Sequence, residues 1–135
     1  MSPDRDAAPT LSASIEEAIR EELPALSGLP LAKALADGTL PLPGYVALVR
    51  GLTVAHAMLE HELQECTHPA VRAAWTPAIG RYPRLALDSA WAGDHATGEV
   101  PGAVRAALLL SDAFQVHRAE RPQALVGDLF VLARF

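Results

Sequence analysis

Chemistry in this 135-residue chain would have to come from a handful of side chains, and most of them stand in one stretch. His56 and Glu60 are four residues apart, which on a helix sets an imidazole and a carboxylate on one face, one turn apart, as helical-bundle metal sites do. The plainer reading of the same pair is a core-facing histidine hydrogen-bonded to Glu60 or to a backbone carbonyl. His61, Cys66 and His68 follow within two helical turns. They combine the borderline and soft ligands that zinc and other transition metals take, although their spacing matches no established zinc pattern. The candidates are therefore His56 as a cofactor ligand and Glu60, His61 and His68 as metal ligands.

Other chemistries find no foothold. No glycine-rich phosphate loop, nucleophile elbow or paired-cysteine metal motif occurs, and Gly98 and Gly102 read as ordinary loop glycines. A formal net charge of -5 provides no basic face for nucleic acid or for an anionic membrane surface. The one cysteine, Cys66, cannot form an internal disulfide, and the polar, acidic start from Met1 to Pro9 has no secretory pattern. The apolar stretches Val104 to Leu110 and Leu125 to Leu132 contain Arg105 and Asp128 and are too short to cross a bilayer, so a cytoplasmic protein is expected.

The elements that must position these residues are helical. Residues 1–10, rich in Pro, Asp and Ala, are expected to form a flexible tail, and residues 11–135 one helical domain. Leu11, Ile15, Ala18, Ile19 and Leu23 recur at helical spacing, with Ser12 or Ser14 as the cap and an end before Pro24. A short helix from Leu29 to Ala36 is opened by Pro30 and closed at Asp37-Gly38, where glycine can take the left-handed conformation. Tyr45, Leu48, Val49, Leu52, Ala55, His56, Leu59 and Leu63 lie on one stripe of a long core helix, Tyr45 to Leu63.

Pro69, Pro77 and Pro83 then allow only short helices, Ala70 to Trp75 and Arg84 to Trp91, before a loop from Gly93 to Gly102. In this region Trp75, Tyr82 and Trp91 either line a ligand pocket or, more simply, anchor short helices on the core. Pro101 opens a helix containing Val104, Leu108, Leu109, Ala113, Val116 and His117, and Gln123 to Leu132 suits a last helix or a strand. With no sustained alternation and no repeats, the fold class is all-α, an irregular helical bundle.

Leu35-Ala-Asp-Gly-Thr-Leu-Pro-Leu-Pro-Gly-Tyr45, running into Leu48-Val-Arg-Gly-Leu52 and His56-Ala-Met-Leu-Glu60, resembles the second and third helices of bacterial biliverdin-producing haem oxygenases. Arg81-Tyr-Pro-Arg-Leu85 with Asp88 is similar to the family's middle segment. Pro122-Gln-Ala-Leu-Val-Gly-Asp-Leu-Phe-Val-Leu132 is similar to the stretch before its glycine-rich distal helix. The resemblance covers the chain from about Leu11 onward and implies a haem-oxygenase-like bundle that opens haem to biliverdin, carbon monoxide and iron.

Two departures bear on that chemistry. The family holds haem iron through a histidine on its first helix, whereas here no histidine precedes His56, and the matching position falls on Leu23 or, in a shifted register, on Ile19. Where the family continues into its distal helix, this chain reads Ala133-Arg134-Phe135, so the distal wall of the pocket is expected to be missing and the bundle incomplete. Haem-opening activity is accordingly not expected. The alternatives are a non-catalytic helical module, taking haem or another small apolar ligand, or a second copy or partner subunit over the open face, and an iron-dependent di-metal oxidase of the same fold. The oxidase would join Glu60, Glu62 and His68 to Asp112, His117, Glu120 and Asp128.

Overall fold

The computed structural model describes residues 10–95 and 101–133, and among them every regular element is a helix. The chain divides into two compact units, one up to Leu40 and one from Pro41 on. The segment expected as a tail lies, except for Thr10, outside the described residues.

The first unit is a pair of helices. Thr10, rather than Ser12 or Ser14, caps α1, Leu11–Ser27, its hydroxyl oxygen accepting from the Ala13 N–H at 3.2 Å. The helix does not stop before Pro24. Proline removes one ladder bond, but its own carbonyl still accepts from the Gly28 N–H at 3.3 Å, so the last turn closes beyond it. α2, Pro30–Ala36, begins at its proline, and Gly38 closes it with φ at 65°, the left-handed conformation expected there.

The second unit is built around α3, Leu42–Glu65, with Pro43 in its first turn. α4, Pro69–Ala74, a 3-10 turn at Pro77–Ile79 and α5, Tyr82–His95, follow, and then α6, Pro101–Glu120, and α7, Ala124–Leu132. α3 packs against α5, α6 and α7, and α7 also touches α4 and α6. The apolar core gathers at the C-terminal half of α3, where Leu59, Leu63 and Cys66 meet Val71 and Trp75, Phe114 and Leu125. Burial of the stripe read from the sequence follows that position: Val49, Ala55, His56, Leu59 and Leu63 are buried, Leu48 and Leu52 half-buried and Tyr45 exposed.

Two further expectations change. The loop expected from Gly93 to Gly102 is shorter, since α5 runs on to His95 and α6 already starts at Pro101; residues 96–100 lie outside the described ones. Of the two readings open for the last segment the helix holds, as Ala124–Leu132 with Gln123 at its cap. The described segment with the length and apolar composition of a membrane span is α3, not Val104 to Leu110 or Leu125 to Leu132; 33% of that segment is buried, where α3 packs against α5, α6 and α7.

Small residues line part of the contact between α3 and α6. Ala47, Gly51 and Ala55 stand four apart on α3, as do Ala103, Ala107 and Ser111 on α6. A Cβ placed on Gly51 would meet the Ala103 Cβ and carbonyl oxygen, both at 3.2 Å, so the two backbones come as close as glycine permits. α6 thus turns Ala107, Ser111 and Phe114 inward, leaving Leu108, Leu109 and Val116 exposed.

Candidate functional site

The residues singled out for chemistry separate into three places. His56 is buried on α3, its side chain 4% exposed, with Nδ1 3.7 Å from the Glu60 Oε1. The Leu132 backbone at the end of α7 also acts on this ring. Burial is the main influence on this imidazole and holds its pKa below the ordinary 6.5. The Glu60 carboxylate and the Leu132 backbone pull upward, against a further downward push from the Arg81 guanidinium. His56 is therefore neutral at pH 7.

Glu60 has a structural partner that the i, i+4 spacing could not reveal. Its Oε1 accepts from the backbone N–H groups of Arg81 and Tyr82, at 2.6 and 2.9 Å, where α5 begins. A carboxylate from one helix thereby caps another, satisfying donors left over at the helix start and meeting the positive end of its dipole. Gly80 makes room for this approach, because a Cβ there would lie 2.5 Å from the Glu60 Oε2. Thr53 adds a second tie between these helices, its hydroxyl donating to the Leu85 carbonyl at 3.1 Å and to Val49 at 2.7 Å.

His61, Cys66 and His68 do not converge. His61 is exposed, Cys66 is buried in the apolar core, and His68 caps α4 with its Nδ1 accepting from the Ala70 N–H at 3.2 Å. Among the described residues no group of three or more His, Cys, Asp or Glu side chains could hold a metal ion. Of the late residues weighed with them, His117 and Asp128 pair with each other across α6 and α7, Nδ1 to Oδ2 at 2.7 Å. Asp112 and Glu120 are exposed. The Glu62 carboxylate, also buried, pairs with Arg118 of α6.

Two open grooves adjoin these groups. One of about 550 Å³ lies between the end of α3 and α6, lined by Glu65, Cys66, His68, Gln115, Arg118 and Pro122. The other, about 270 Å³, lies beside Glu60, His61, Trp75 and Tyr82. Trp75 is buried as an anchor on the core, whereas Tyr82 and Trp91 are about half exposed.

The sequence offered no sign of Arg118 or of the Arg81 and Tyr82 amides as partners. The nearest signal for the latter was the Gly80 turn just ahead of Pro83. No protein-family model, no curated protein and no solved structure matches the chain.

Proposed function

We propose that the chain is a haem-oxygenase-like helical domain that does not open haem and serves as a non-catalytic binding module. The family assignment is supported by the resemblance in residues 35–60, 81–88 and 122–132 together with the all-α bundle. The absence of haem chemistry rests above all on His56. An axial ligand must offer a free ring nitrogen to iron in an open, apolar slot. His56, the first histidine in the chain, is instead buried and turned to Glu60 and Leu132.

The residues present therefore do not fit haem held in the family's manner. Nor do Glu60, His61 and His68 fit a di-metal centre, since Glu60 caps α5, His68 caps α4 and His61 stands apart in solvent. A helical scaffold whose polar side chains are engaged in holding helices together is suited to binding through its surface.

Titration of the purified chain with haemin, followed by absorbance beside a His56→Ala variant, tests this. The expected result is no saturable Soret band in either protein. Stoichiometric binding with a sharp Soret band that His56→Ala abolishes would overturn the reading and give His56 the iron.

A further inference from the structure

The outer face of α6 has a composition that the packing of this chain does not use. Leu109 is 66% exposed and Val116 46%, on the side of the helix opposite Ala107, Ser111 and Phe114, and Leu108, 52% exposed, lies on the flank of that side. At 100° per residue, Arg105 and Asp112 fall on that same outer face, and both are exposed. Seven residues apart, they are separated by roughly 10.5 Å along the axis, too far to pair with each other. Neither has an ion-pair or hydrogen-bond partner among the described residues.

This arrangement is complementary to itself when reversed. Two α6 helices laid antiparallel, with a two-fold axis between positions 108 and 109, gather the leucines of both copies around the axis, Leu108 beside Leu108 on one flank of the contact and Leu109 beside Leu109 on the other. The same operation brings Arg105 of each copy opposite Asp112 of the other, at both ends of the leucine contact. A two-fold interface requires this reciprocity, in which residue i meets j and j meets i. A parallel pairing would instead set Arg105 against Arg105 and Asp112 against Asp112. Any other kind of partner would need its own acidic and basic groups at this spacing, whereas a second copy already has them.

We propose that the outer face of α6 is a self-association surface on which two copies of this chain pair antiparallel through Leu108 and Leu109, with reciprocal Arg105 and Asp112 ion pairs. It names the partner for the binding-module reading and rests on that reading. The two fail separately, because haemin uptake leaves the state of association unaddressed and association leaves haemin uptake unaddressed. One helix is about 30 Å long, so its face alone falls short of the roughly 800 Å² per partner of a tight interface, and the dimer belongs to the weak, reversible class.

Sedimentation equilibrium of the full chain from about 5 to about 500 µM spans the range in which such a weak dimer forms. The wild-type chain is expected to shift from monomer to dimer. Arg105→Glu and Asp112→Arg, each alone, place like charges across the interface and are expected to keep the chain monomeric, with unchanged helical circular dichroism because both sites are exposed. The double variant regains the dimer. So does an equimolar mixture of the two single variants, whose faces are complementary to each other but not to themselves. A wild-type chain that stays monomeric throughout overturns the proposal. So do single variants that associate like wild type, or a mixture and double variant that fail to recover.

Discussion

His56 shows how the same residue can carry opposite meanings at different levels of description. As a letter in the chain it is the only histidine on a long apolar stripe, four residues before a glutamate, and so a ligand candidate. In three dimensions its ring is buried between the Glu60 carboxylate of its own helix, 3.7 Å away, and the Leu132 backbone of α7. Because burial lowers its pKa, the unfolded chain takes up the proton first as the pH falls. This contribution to stability is complete above pH 6.5 and is lost as the pH drops from 6.5 toward the lower value of the folded state. Urea denaturation midpoints taken from about pH 8 down to about pH 5 should fall for the wild type, with a shallower fall for His56→Gln. Identical slopes for the two proteins would remove His56 from the account.

At the scale of elements, the contact between α3 and α6 is decided by what is missing from the side chains. Helices that meet through Ala47, Gly51 and Ala55 on one side and Ala103, Ala107 and Ser111 on the other can approach closely, and a larger residue at Gly51 has nowhere to go. Gly51→Leu should cost about 1–3 kcal/mol through overpacking. Gly51→Ala should be nearly neutral, its helix-propensity gain of about 1 kcal/mol set against the tight contact with Ala103. Chemical denaturation of the two variants measures the contrast, and equal effects would mean that the backbones are not held at this separation. The same spacing is present in the sequence, but α6 also has larger apolar residues, Leu108, Leu109 and Val116, away from that side. The short helices were legible from their prolines because proline fixes φ locally, whereas the extent of α1 past Pro24 was not, since one missing hydrogen bond does not decide where a helix ends.

Across the whole molecule, burial is unequal. No residue whose side chain is described before Pro41 is buried, while Leu59, Leu63, Val71 and Leu125 are fully enclosed in the second unit. Backbone groups under little apolar cover open at low free energy, and those in a packed core exchange only through larger unfolding. Hydrogen exchange should therefore label the amides of α1 and α2 first and those of α3 from about Leu59 to Leu63 last, by at least about a hundredfold in rate. Comparable protection in both units would show that they unfold as one.

What the chain determined by itself was the kind of structure and its local punctuation: helices throughout, starts at Pro30 and Pro101, a left-handed turn at Gly38, and an apolar stripe with His56 on it. These follow from torsion angles and from a 3.6-residue period, which act over a few neighbours. Only the tertiary structure decided that Glu60 caps α5, that Glu62 meets Arg118, that His117 meets Asp128, and that α6 turns its small residues inward. Each of these joins positions that the chain keeps well apart, and a helix with apolar residues on more than one side does not declare which side its neighbour will cover. In the folded chain the side with Ala107, Ser111 and Phe114 is the buried one, and Gly51 of α3 fits closely against Ala103.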